Sequence, residues 1–281
     1  MINKNYKLHK IETPFPYIKI ENYLEDSFYR ELDKSFPRIE EFKKHPRTVK
    51  RMNYDTTYGN SLYSDLTKNS KAFGKFHEYV YSKDFINFFI DKFRNNIQNE
   101  VQKNYLIDDV LKYSIKPEPF EVEGIIGKKE LKKNSQKFLY PRLDIGIGIE
   151  GYGRNNGGGG IHIDNPQRLI SILFYVGGYS EINGGEHRIW KKNPDNKMLQ
   201  VQESIKPKKN LLIAGLQNNL AFHDVNPIVS INGTRNAFYL AISSNIPIWK
   251  RVKNNDFNLK YNKNRVKLNL FQKFKNILIS K

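Results

Sequence analysis

Residues 139–152, LYPRLDIGIGIEGY, split their side chains between two faces so sharply that they constrain what this chain can build. Successive side chains of a strand point to opposite faces. Leu143, Ile145, Ile147 and Ile149 then share one face, while Tyr140, Arg142, Asp144, Gly146, Gly148, Glu150 and Tyr152 share the other. The first face is made to pack. The second mixes charges with two glycines, as a strand lining an occupied pocket would; an ordinary half-exposed strand accounts for the charges but not for the glycines. Residues 235–243 repeat the device, with Phe238, Leu240 and Ile242 opposite Arg235, Ala237, Tyr239, Ala241 and Ser243. One side packs and the other leaves room around a guanidinium.

Between these segments lies GGGGIHIDNPQRLISILFYV, residues 157–176. On extended backbone, His162 and Asp164 point the same way and Ile161 and Ile163 the other, into a core. A neutral imidazole beside a carboxylate supplies two of the three ligands of a 2-His-1-carboxylate site, which leaves positions open on iron(II). A His-x-Asp alone equally fits a polar strand end at a sheet rim, so a second histidine is required. The chain has six. Downstream candidates are His187 in GGEHRIW and His223 in LAFHDVNP, and His223 is preferred because Arg235 follows twelve positions later at the head of a two-faced strand.

His162-x-Asp164, a distal His223 and the Arg of Asn232-Gly-Thr-Arg235 together resemble the 2-oxoglutarate/iron(II)-dependent oxygenases, in the branch similar to prolyl 4-hydroxylase. Supporting features follow in order: the strand RLISILFY after His-x-Asp, the turn INGGE, and HDVNPIV with a proline after the distal histidine. The resemblance covers residues 139–244, and PFPYIKIENYL near the start is similar to the entry of that catalytic domain. It implies a mainly β fold with helical additions (α+β), a double-stranded β-helix or jelly roll supported by N-terminal helices. It also implies iron(II) held by His162, Asp164 and His223, with 2-oxoglutarate and O2 as cosubstrates and ascorbate a further candidate. Arg235 would pair with the distal carboxylate of 2-oxoglutarate, because a guanidinium is always charged and binds carboxylates through two bonds. Tyr152 sits where relatives carry a tyrosine that reaches the cosubstrate, although the Gly/Asn run after it is longer than usual.

Composition bounds the alternatives. The 281 residues suit one large domain, expected over 1–249 with a helical part to about 120 and the jelly-roll core from about 121, and no Pro/Gly/Ser linker divides them. Cysteine is absent, which removes disulfides and thiolate metal sites. No signal-peptide or membrane-spanning run is present, and a cytoplasmic protein is expected. The formal charge is +18, and residues 250–281 carry ten Lys/Arg against the single acid Asp256. Within that basic tail, 264–281 has an amphipathic helical pattern that either packs on the domain or lies on an anionic membrane surface.

Elsewhere, 15–21 reads as a strand, 26–36 as a helix ended by Pro37, and 84–102 as a helix behind an Asp84 N-cap, with Phe85, Phe88, Phe89, Phe93 and Ile97 as its packing stripe. Residues 38–66 show no periodicity and read as a loop, one that the resemblance would place over the substrate. RNNGGGG, 154–160, lacks the Lys-Ser/Thr ending of a phosphate loop and precedes a strand, so conformational freedom beside the metal ligands is its expected role.

The expected activity is hydroxylation of an unactivated C–H bond in a small molecule, a glycan or lipid intermediate, or a peptidyl residue, anionic substrates included. Two other classes remain. A zinc site also takes His, His and carboxylate, but leaves Arg235 and the GGE turn without a role. A non-catalytic jelly-roll module binding anionic glycans or nucleic acid is motivated by the charge, and a complete ligand set plus Arg argues against it. Nucleic acid is further disfavoured as a substrate, since the demethylases of the superfamily carry a second Arg six positions after the first, where this chain has Ala241.

Overall fold

Rows of residues that face the same way across neighbouring strands decide this architecture. In the computed structural model the described residues are 1–44, 49–50, 53–57, 60–103, 105–118, 136–152, 160–193, 195 and 198–250. The basic tail beyond Lys250, with its expected helix 264–281, lies outside them, as do Arg47, Arg51, Tyr58 and residues 153–159.

The strands are β1 (Lys7–Ile11), β2 (Tyr17–Glu21), β3 (Val49–Lys50), β4 (Asn53–Thr57), β5 (Ser114–Ile115), β6 (Phe138–Gly148), β7 (Arg168–Asn183), β8 (His187–Lys192), β9 (Leu199–Ile205), β10 (Leu211–Leu216), β11 (His223–Val225) and β12 (Ser230–Ser244). They form a large sheet in the order β1-β2-β10-β7-β12-β6-β4-β3, with β5 beside β6, and a small sheet β11-β8-β9. Strand-rich, curled sheets with helices on one side match the jelly-roll expectation.

One face of the large sheet is dry. Ile20, Leu212, Phe174, Phe238 and Ile145 are successive cross-strand partners along one row, and all are buried. Helices α1 (Asp26–Lys34), α2 (Ile39–Lys43), α3 (Ser61–Asn69), α4 (Lys71–Val80) and α5 (Lys83–Gln102) share this core. Phe238 is its centre: Phe76 lies 4.6 Å away between ring centroids, Phe36 5.5 Å, Phe73 5.7 Å and Phe174 6.0 Å. Aromatic pairs at these separations add to simple area burial.

The opposite face is different. Tyr17, Gly215, Ser171, Ala241 and Arg142 are successive partners across five strands, so the middle of that row carries almost no side-chain volume. The next row, Lys19, Ile213, Leu173, Tyr239 and Asp144, fills again. A cavity follows directly, between this face and the small sheet.

Several sequence expectations change. β6 stops at Gly148, short of Tyr152, because the backbone turns at Gly151 (φ 86°) and the Tyr152 amide bonds back to the Ile149 carbonyl at 3.0 Å. α5 is capped by Ser82, whose hydroxyl accepts from the Phe85 amide at 3.2 Å, and Asp84 only adds favourable charge to its first turn. α1 ends at Lys34. Residues 38–66, read as an unpatterned loop, hold α2, β4 and the start of α3; elements this short bury only Phe42, or Leu62 with Tyr63, too few for a visible period. Among the described residues no helix is long and apolar enough to cross a membrane.

Replacing Phe238 by Ala should cost about 3–5 kcal/mol, the usual range for a large buried aromatic. Urea denaturation reads this as a lower midpoint at unchanged slope; a loss below about 1 kcal/mol would show that the helices do not depend on this face.

Candidate metal and cosubstrate site

The backbone at His162 belongs to the small sheet and the side chain of Asp164 to the large one. His162 and His223 exchange both backbone hydrogen bonds, each at 3.0 Å, in an isolated antiparallel bridge. Two residues on, the Asp164 carboxylate accepts from Arg168 Nη1 at 2.9 Å and from the Ser171 hydroxyl, both on β7. Ile163 is buried and Ile161 packs beside the main core, so the alternation of IHID sets which side chains enter the cavity.

His162, Asp164 and His223 converge, with one potential ligand atom from each within 4.8 Å of the others. His162 Nε2 is 3.9 Å from Asp164 Oδ1, and His223 Nε2 is 3.8 Å from Asp164 Oδ2. Each ring donates Nδ1–H to a backbone carbonyl, His162 to Gly160 at 2.8 Å and His223 to Ala221 at 2.9 Å. The Nε2 lone pairs are thereby turned toward Asp164, the tautomer that metal ligation requires. Bonds of about 2 Å from nitrogen and carboxylate oxygen span such separations with one ion between the three. The donor set, two imidazoles and a carboxylate without thiolate, suits iron(II).

The electrostatics favour the ligating forms. Burial would raise the Asp164 pKa, but Arg168, His223, the Ser171 hydrogen bond and His162 outweigh it and hold the carboxyl well below its ordinary range. Burial lowers the His223 pKa, against the pull of Asp164, and keeps the ring neutral.

His187 lies outside this trio. It opens β8 and lines the cavity, its ring centroid 5.4 Å from that of His223. Burial, then the neighbouring His223 and Arg235, hold its pKa well below normal, and its Nδ1 has no partner.

At the inner end of the open face sits Arg235, fully buried. Nη1 donates to the Gly185 carbonyl at 3.0 Å and Nη2 to the Tyr239 hydroxyl at 2.9 Å, while Nε has no partner. The guanidinium carbon stands 4.6 Å from the Tyr152 ring centroid and 5.7 Å from that of Tyr175. Burial opposes its charge, and the surrounding Tyr239, Tyr175 and Tyr152 more than offset this. Among the described residues no carboxylate pairs with it. Burial raises the Tyr152 pKa, so the phenol stays protonated.

Two glycine positions make this arrangement possible. A Cβ on Gly148 would stand 3.3 Å from both Arg235 Nε and Tyr152 Cδ1, which explains a glycine on the polar face of β6. At Gly184 φ is 86°, and a Cβ would fall 2.0 Å from the Pro227 carbonyl oxygen; the GGE turn brings that chain against the segment after His223.

The cavity, about 230 Å³, is lined by His162, Asp164, Arg168, Ser171, His187 and His223 at its metal side and by Tyr152, Tyr239 and Leu173 farther in. Arg142, on its wall, pairs with Asp144 at 2.6 Å, whereas Arg235 lies behind the lining residues Tyr152 and Tyr239 that it contacts. Sequence reasoning missed Arg168 and Ser171 as partners of Asp164. It also missed Asp224, which is buried and holds Arg188 Nε at 2.8 Å, Arg188 Nη2 at 2.5 Å and the Trp190 indole at 2.8 Å. Asp224 and Arg188 are direct cross-strand partners beside His223, a fact visible only once register is known.

No protein-family model matches the chain, and no curated protein does. Its structural neighbours are prolyl 4-hydroxylases and members of the 2OG-Fe(II) oxygenase family. A prolyl 4-hydroxylase from Phytophthora capsici is 12% identical over 85% of this chain and 64% of its own, with a TM-score of 0.46. One from Pseudomonas putida is 13% identical over 81% and 91%, TM-score 0.41. The viral collagen prolyl hydroxylase of Paramecium bursaria Chlorella virus-1, solved as a 2OG complex, is 14% identical over 84% and 96%, TM-score 0.37. The chain thus spans under two thirds of the first of these. Nothing about activity passes at such distances, and function has to be argued from the side chains.

Arg188→Met should destabilise the protein by about 3–5 kcal/mol, because it strands a buried carboxylate. Adding Asp224→Asn should recover part of the loss in urea denaturation, whereas additive losses would mean that the two residues are not coupled.

Proposed function

We propose that the chain is an iron(II)- and 2-oxoglutarate-dependent dioxygenase that hydroxylates a C–H bond. The observation that carries this reading is Arg235. A fully buried guanidinium with no carboxylate partner among the described residues calls for an anionic ligand, since an uncompensated buried charge is expensive. Three unpartnered buried polar atoms belong to the same end of the barrel: Arg235 Nε, Tyr175 OH and His187 Nδ1. A dicarboxylate reaching from the His162–Asp164–His223 trio toward Arg235 meets both requirements at once, one end at the ligand set and the other at the cation.

When bound, iron(II), 2-oxoglutarate and O2 supply the oxidising power, one oxygen atom entering the substrate and the other succinate as carbon dioxide leaves. The protein's part is positional. His162, Asp164 and His223 would hold the ion, and Arg168 and Ser171 fix the orientation of the Asp164 carboxylate that would ligate it. Arg235 with Tyr239 anchors the far carboxylate, and the Tyr152 and Leu173 walls keep water away. The row of Gly215, Ser171 and Ala241 leaves space for a substrate carbon beside the metal. The substrate is a small molecule, a glycan or lipid intermediate, or a peptidyl residue.

The test is succinate formation with a 16-dalton product shift on incubation with iron(II), 2-oxoglutarate and metabolite pools. Asp164→Ala and His223→Ala should abolish succinate while the fold persists, because both side chains sit on a sheet framework held from its other face. Retained turnover in either variant removes the mechanism.

Arg235→Lys should weaken 2-oxoglutarate by about ten- to hundredfold, the equivalent of losing one charge-assisted bond of about 1–3 kcal/mol. An ammonium cannot reproduce the planar fork. Anaerobic titration of the iron(II) protein, followed by the charge-transfer band of the chelate, measures it. An unchanged dissociation constant in both Arg235→Lys and Arg235→Ala would transfer suspicion to Arg142.

A further inference from the structure

The cavity has a second arm that neither the metal ligands nor the cosubstrate anchor use. From the Gly215–Ser171–Ala241 floor it runs toward β2 and the end of β10, walled by Phe15, Tyr17, Ile213 and Gly215 and reaching Gln217. Gly215 brings the walls close, since a Cβ there would stand 2.9 Å from the Phe15 ring. Gln217 is only 2% exposed. Its Nε2 donates to the Gly215 carbonyl at 3.1 Å, whereas its Oε1 is buried and has no hydrogen-bond partner. The amide cannot be turned over to relieve this, because Oε1 would then face the Gly215 carbonyl oxygen.

A buried acceptor without a donor lowers stability, and a ligand N–H or O–H removes that deficit on binding. The neighbouring donors are committed: the Tyr17 hydroxyl donates to Glu203 at 2.5 Å, and Lys19 pairs with the same carboxylate at 2.5 Å. The walls are aromatic and aliphatic and the end group is neutral. An anion would meet the carbonyl oxygen of Gln217 without a counter-charge among these walls, and an apolar ligand would leave that oxygen unpaired.

We propose that Gln217, with Phe15, Tyr17, Ile213 and Gly215, forms the substrate subsite, and that it selects a neutral group presenting one N–H or O–H donor. Its meaning as a substrate subsite rests on the oxygenase reading above. Selection by an unpaired buried acceptor is strong because an analogue lacking the donor leaves the site as it was.

The test uses two neutral lactams, 2-pyrrolidinone with an amide N–H and N-methyl-2-pyrrolidinone without it, titrated into the full chain and followed by NMR shifts. The wild type should bind 2-pyrrolidinone about tenfold more tightly than the methylated probe, the equivalent of one hydrogen bond. Gln217→Leu should bring the two affinities together by weakening only 2-pyrrolidinone. Gln217→Met, closer in shape, makes the same comparison should the leucine variant fail to fold. Equal wild-type affinities, or a tenfold ratio that persists in the folded variant, overturns the assignment. A separate anaerobic titration of the wild type with 2-oxoglutarate distinguishes the two levels. Discrimination between lactams without 2-oxoglutarate binding would remove the oxygenase reading and leave a donor-selective pocket; 2-oxoglutarate binding without discrimination would remove the subsite alone.

Discussion

An ionised carboxylate buried on the cavity face of a sheet has to be neutralised, and the arrangement around Asp164 follows from that need. Arg168 and the Ser171 hydroxyl, both on β7, hold its two oxygens, and His162 and His223 face it from the other side. Both Nδ1 positions are fixed by carbonyls, so backbone geometry sets the tautomer in which Nε2 is the free ring nitrogen. That geometry comes from the segment crossing from the small sheet at His162 to the large sheet at Asp164.

The buried charges of this half of the molecule fall into two kinds. Asp164 and Asp224 each have a cation among their neighbours, Arg168 and Arg188. Arg235 is of the other kind, with a carbonyl, a tyrosine hydroxyl and aromatic faces in place of a carboxylate. Such an environment keeps the guanidinium in place without neutralising it.

How much of this was legible in the sequence depends on range. The two faces of 139–148 and of 235–243 were readable because strand alternation is local, and the packing residues assigned there are buried. The glycines on the polar face of β6 were readable as a sign of close approach, but not what approached: Gly148 faces Arg235 and Tyr152, which lie far off in sequence or beyond a turn. Short elements such as α2 escaped because five residues cannot establish a period. Asp224–Arg188, Tyr17–Glu203 and the role of Gln217 were invisible for a different reason. Each depends on register or on sheet-to-sheet distance, and composition contains neither.

The two sheets meet along two seams, and this bears on how the cavity behaves. On one side Tyr17 and Lys19 of β2 reach Glu203 of β9, tying the large sheet to the edge strand of the small one by charge-assisted bonds. On the other, His162 and His223 form a backbone bridge, and the chain then crosses to Asp164. A metal held by these three residues would join the small sheet, through His223, to the large one, through Asp164 and β7. The ligand set therefore spans the side of the cavity where His162 and His223 bridge, away from the contacts that Glu203 makes. The walls of the second arm, Phe15, Tyr17 and Gln217, lie on the seam that Glu203 already closes.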